Sequence, residues 1–216
     1  SENTILGMYY GIILVMILFN ALLWIDLKEK AYLSYSSFLS FYLILQLCLN
    51  GNAFKLFLPN NPYLHSLVLP MSAFLVFAFA SRFTLEFLSW PTERRLWQQS
   101  VLRLEQASFL FALASIALPY SFIIKVLVAT AIFGPILYIA ASISSINAGY
   151  RPARIYLGAW ASLIAGSIIY GSKAFGILPA NTFTEYAVQA GSVLLVVLLA
   201  LAMSDRIKLM QAEKAK

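Results

Sequence analysis

The chain has 216 residues, 61% of them hydrophobic and only 11% charged, with a mean hydropathy of +0.81. A soluble domain carries about a quarter charged residues, so this composition excludes that class and fits about six to eight membrane spans. The net charge of +6 is read as loop cations that orient a membrane protein, which leaves no case for a nucleic-acid partner.

The chain starts at Ser1 without an initiator Met, and no basic n-region or A-x-A site marks a secretory signal. The first span is expected over about 5–25, closed by the charged turn Asp26-Leu27-Lys28-Glu29-Lys30. The second is expected over 31–49, ending at Asn50-Gly51-Asn52, and its lone Cys48 reads as a packed core thiol. Residues 54–58 form a short interfacial segment before Pro59-Asn60-Asn61-Pro62. The third span covers about 64–87. Leu96 to Glu105 is the wet start of a fourth helix, whose membrane part is 104–118 and which ends at Pro119. The fifth span, 121–143, carries Gly134-Pro135 at its middle, which predicts a kink. The sixth, 153–178, ends before Pro179 and has Gly158, Ser162 and Gly166 at four-residue spacing. That small-residue stripe permits close helix approach, either within the chain or as a homodimer seam.

The seventh span, 183–206, opens on Thr182 and Glu185, which have the T-x-x-E spacing of a capping box. Val193 to Ala202 is uninterrupted aliphatic. Ser204, Asp205, Arg206 and Lys208 then follow with no Gly or Pro, so one helix should leave the membrane and run on to Lys216. From Thr182 such a rod is roughly 50 Å long, against about 30 Å for a hydrocarbon core. Residues 207–216 read as the start of a cytoplasmic signalling helix, cut from something longer.

Loop charges fix the orientation. Counted from an outside N-terminus, the inner side receives Lys28, Lys30, Arg82, Arg94, Arg95, Arg103, Arg151, Arg154, Arg206, Lys208, Lys214 and Lys216. The outer side receives only Lys55, Lys125 and Lys173. This asymmetry predicts an all-α polytopic bundle of seven transmembrane helices, N-terminus out and C-terminus in. Tyr9, Tyr10, Trp24, Tyr63, Trp90, Tyr150 and Tyr156 sit near span ends, as interfacial aromatics do.

Several chemistries lack residues. His65 is the only histidine, which removes bis-His haem ligation and His-rich metal sites. Asp26, Glu86, Glu185 and Asp205 all fall near span ends, so no carboxylate is expected deep in the membrane. The seventh span has no lysine to anchor a retinal, and phosphate loops and nucleophile elbows are missing. The expectation is a non-enzyme without cofactor. Among the remaining polar residues, Asn20, Gln46 and Asn50 are suited to interhelical hydrogen bonds, with a ligand contact as the alternative. Lys125 should snorkel, Arg82 and Glu86 should form an exposed pair, and Lys173 and Glu185 can pair across the last outer loop.

Three stretches carry a family resemblance. Gly149-Tyr150-Arg151-Pro152-Ala153-Arg154 with Ala159-Trp160 enters the sixth helix; Asn181 to Gln189, then Gly191-Ser192, opens the seventh; Ser204-Asp205-Arg206-Ile207 closes it. With Tyr10-Gly11, Asn20 and Asn50-Gly51, the whole chain resembles the seven-helix domain of bacterial receptors with diverse intracellular signalling modules (7TMR-DISM). Leu195 departs from the family's pattern, in which many relatives carry a glutamate at that position. The resemblance implies a sensor in the bacterial inner membrane. It also implies a periplasmic sensor domain upstream and a cytoplasmic histidine kinase, diguanylate cyclase or phosphatase downstream.

The expected function is therefore transmembrane signal transduction, with the lipid bilayer as the immediate partner. Gly134, Pro135 and the Gly-rich sixth helix are candidate flexible points, and Glu185, Tyr186 and Gln189 line the entry to the seventh. Arg151, Arg154, Asp205 and Arg206 are the candidate coupling rim, with topology charges in lipid headgroups as the alternative reading. The rival function is a small transporter or channel, which calls for paired broken helices; Gly134-Pro135 is read as a break without a counterpart.

Overall fold

The computed structural model describes residues 2–52, 62–90 and 95–214. The expected interfacial segment at 54–58, and Lys55, Arg94 and Lys216, lie outside the described residues. The described residues form eight helices and no strand: α1 Glu2–Leu27, α2 Lys30–Leu49, α3 Pro62–Phe87, α4 Arg95–Ala114, α5 Tyr120–Asn147, α6 Pro152–Ala174, α7 Thr182–Glu185 and α8 Ala187–Lys214. The chain is an all-α polytopic membrane protein.

Among the described residues, six helices, α1, α2, α3, α5, α6 and α8, are long and apolar enough to cross a membrane. Their outward side chains are apolar, including Met8, Val15 and Leu22 on α1 and Ile132, Phe133 and Ile136 on α5, as contact with lipid requires. α4 is different in kind. Its first three turns hold Gln98, Gln99, Arg103, Glu105 and Gln106, while Val101, Glu105, Ser108 and Ala112 form a buried stripe at helical spacing.

Two helix ends differ from expectation. α6 stops at Ala174 instead of running to Leu178, because Gly176 adopts φ +74°. There Gly176 N–H donates to Lys173 O and Ile177 N–H to Ser172 O, both at 2.9 Å, the pair of bonds that closes a helix with a left-handed residue. α4 ends at Ala114, and tight turns carry the chain to Pro119, with Ile116 N–H donating to Leu113 O at 3.1 Å. α5 runs unbroken through Pro135, and α3 likewise through Pro70. Among the described residues Pro135 is thus one of two prolines inside a helix, and neither interrupts it.

The chain forms two compact units. In Tyr10–Phe87 with Leu96–Leu137, α2 packs on α3 through an aromatic column. Tyr35 and Phe83 ring centroids are 5.2 Å apart, and Phe83 and Phe87 are 5.3 Å apart. Such contacts add about 0.5–1.5 kcal/mol beyond area burial. Phe74, Ala112 and Ile123 form a second buried cluster. In Ser1–Tyr9, Leu88–Arg95 and Tyr138–Lys216, α6 packs on α8, and Tyr138 lies against Trp160 at 4.5 Å.

Candidate functional site

The α6–α8 seam is the tightest helix contact built by glycine. A Cβ added to Gly166 would stand 2.4 Å from the carbonyl oxygen of Ala187, and one on Gly191 2.6 Å from that of Ser162. Only glycine allows the backbones this close. Ser162 Oγ donates to Ala159 O at 2.7 Å and reaches Gly191 O at 3.2 Å. Leu195, Val196, Leu199, Ala202 and Met203 continue the buried face of α8. Tyr9 Oη and Ser192 Oγ, 2.9 Å apart, tie the start of α1 to this helix. Gly158 does not join the seam: it is exposed and a Cβ there meets nothing within 4 Å.

The entry to α8 corrects the sequence reading. The capping box is formed by Asn181 and Thr184, not by Thr182 and Glu185. Thr184 N–H donates to Asn181 Oδ1 at 3.0 Å, and Asn181 N–H donates to Thr184 Oγ1 at 3.1 Å. Thr182 is exposed while Thr184 is buried, so only the latter side chain turns back toward the chain. The helix is also not continuous from Thr182: α7 is one turn, and Tyr186 (φ −99°, ψ 15°) separates it from α8. Glu185 pairs with Lys173, whose ammonium also lies 5.4 Å from the Tyr170 ring centroid. Gln189 sits in the first turn of α8 with its buried Oε1 lacking a hydrogen-bond partner.

At the other end of the seam, α8 runs on through Arg206 to Lys214. Contacts pair Gly166 with Ala187 and Ser162 with Gly191, so the two helices are antiparallel. This puts Arg151 and Arg154 at the same end as Asp205 and Arg206. Arg151 and Arg154 are exposed, and Asp205 and Arg206 are half-buried.

The other sequence candidates lie in the unit that holds α2 and α3. Asn20 is buried, but its Nδ2 donates to Met16 O at 2.7 Å, within its own helix. Gln46 Nε2 likewise donates to Tyr42 Oη one turn back. Asn50 does link helices, donating from Nδ2 to Tyr10 Oη at 2.9 Å, beside Asn52 at 3.1 Å. Gly134 is buried against Phe77, 3.2 Å from where a Cβ would sit, and Pro135 follows within the helix.

Sequence reasoning missed a charged network in the same unit. Arg82 Nε donates to Glu86 Oε1 at 2.9 Å, as expected of an i,i+4 pair, but Arg82 Nη1 also reaches Glu105 Oε1 at 3.4 Å. Ser34 Oγ donates to Glu86 Oε2 at 2.6 Å. Glu105 is only 6% exposed, so this carboxylate is buried rather than wet. The stripe Val101, Glu105, Ser108, Ala112 carried the signal, since its spacing of four, three and four puts Glu105 on the core face.

The sequence pattern described as 7TM diverse intracellular signalling matches residues 2–206. The chain belongs to that family. Comparison with curated proteins and with solved structures returned no match. The family is a sensory membrane domain linked to intracellular signalling modules, and six apolar helices make this member multi-pass. α4, with its polar first turns, is not among those six.

Proposed function

We propose that this domain relays a signal across the bacterial inner membrane, from a periplasmic ligand or sensor domain to a cytoplasmic output module in the same polypeptide. In this reading α4 is the remaining crossing, which makes seven, with the N-terminus outside and the C-terminus inside. The distribution of Lys and Arg supports that orientation. Residues 1–206 are the sensor domain and 207–216 begin the signalling helix.

The observation that carries the proposal is α8. It is 28 residues long, about 42 Å at the helical rise. It is seated at one end by backbone contact with α6 and runs unbroken to Lys214, longer than the about 30 Å that a hydrocarbon core needs. A helix held this closely transmits displacement, because packed interfaces shift between discrete arrangements rather than deforming smoothly. A ligand that favours one arrangement over another then shifts the population that the output module reads. The α7–α8 break at Tyr186, capped by Asn181 and braced by the Lys173–Glu185 pair, lets the outer end of α8 move separately from the loop.

Arg151, Arg154, Asp205 and Arg206 form the inner rim, where α6 and α8 meet the output module. Arg151→Ala and Arg154→Ala in the full-length receptor are expected to change output while leaving membrane insertion as in the wild type. Unchanged output in both variants would refute the rim's coupling role.

A further inference from the structure

We propose that the recess bounded by α2, α3 and α4 is a binding site for the headgroup of an ethanolamine phospholipid. The recess holds about 500 Å³. Lys30, Ser34, Arg82, Glu86 and Glu105 supply its polar wall, and Leu33, Phe79 and Phe109 its apolar one. Two cations face two carboxylates, so the wall is close to neutral overall and suits a zwitterion rather than a simple ion.

The donors and acceptors are arranged to match. Glu105 is more than nine-tenths buried, its only bond is the long 3.4 Å contact to Arg82, and its Oε2 has no partner. A buried carboxylate oxygen without a donor is costly. The terminal torsion of a glutamate is soft, so a small rotation presents that oxygen to the recess. An ammonium with N–H groups supplies the missing donor. The Arg82 side chain is 47% exposed and spends only Nε and Nη1 on carboxylates, and Lys30 is exposed and in no ion pair among the described residues. Both cations are available for a phosphate.

Position favours a lipid over a soluble zwitterion. The recess lies where α2 begins and α3 ends, which is headgroup level for two membrane-crossing helices. Leu33, exposed beside Phe79 and Phe109, offers the start of an acyl chain an apolar path. The site does not depend on the relay proposed above.

The test uses full-length receptor in nanodiscs of phosphatidylethanolamine or of phosphatidylcholine, whose trimethylated nitrogen has no N–H to donate. Native mass spectrometry counts bound lipid. Phosphatidylethanolamine is expected to bind about tenfold tighter than phosphatidylcholine, as befits a hydrogen bond to a charged group. Glu105→Gln should erase that preference with helical content unchanged. Lys30→Met, at the exposed mouth and safe for folding, should weaken both lipids alike. Equal binding of the two lipids by wild type, or a preference that survives Glu105→Gln, overturns the site. Competition by free phosphoethanolamine as strong as by the lipid overturns the lipid assignment in favour of a soluble zwitterion.

Discussion

Gly166 and Gly191 face each other across the α6–α8 seam so closely that a Cβ on either would lie 3.4 Å from the Cα of the other. The nearer obstacles are backbone carbonyls, which cannot rotate away as a side chain can. Gly166→Ala or Gly191→Ala should therefore separate the helices and cost about 1–3 kcal/mol, despite the better helix propensity of alanine. Gly158→Ala, facing open space, should be neutral or slightly stabilising. Thermal unfolding of the three variants in one detergent checks the ranking.

The cap of α7 gives a second contrast. Asn181→Ala removes the acceptor for Thr184 N–H and should cost about 1 kcal/mol, whereas Thr182→Ala should change little. Amide exchange at Thr184 reports the loss directly, rising in the Asn181 variant and staying slow in the other.

Arg82 holds two carboxylates at once. Arg82→Ala leaves Glu86 with Ser34 alone and Glu105 with nothing, for an expected loss of about 1–2 kcal/mol. Lys30→Ala, from the same recess but outside any ion pair among the described residues, should cost less than about 0.5 kcal/mol. Denaturation midpoints of the pair separate the network from general surface charge.

The proposed seven crossings and outside N-terminus set the sides of every loop. In a Cys48→Ala background, Leu118→Cys should react with a membrane-impermeant maleimide on intact spheroplasts and Ala148→Cys should not. If α4 does not cross, the labelling of these two positions inverts.

Long apolar runs made six of the helices legible in the sequence, because a long apolar segment is the strongest signal of residence in lipid. Local chemistry was harder. The end of α6 turned on Gly176, where a left-handed residue stops the helix before Pro179 can. The cap of α7 turned on which of two overlapping patterns folds back, and burial of Thr184 rather than Thr182 settles it. Asn20 and Gln46 each donate to an acceptor one turn back in their own helices, which spacing alone does not reveal. The deepest omission was Glu105. Its polar neighbours Arg103 and Gln106 made the stretch read as wet, although a three-and-four spacing through Val101, Glu105, Ser108 and Ala112 put one carboxylate on the core face.

The relay through α8 is tested most directly by inserting one to four alanines between Lys208 and Leu209 of the full-length receptor and reading its output. Each residue rotates whatever follows by about 100°. Output that rises and falls with the helical period, recovering near four residues, is the predicted result. The same output at every insertion length would contradict a rigid α8 that carries the signal.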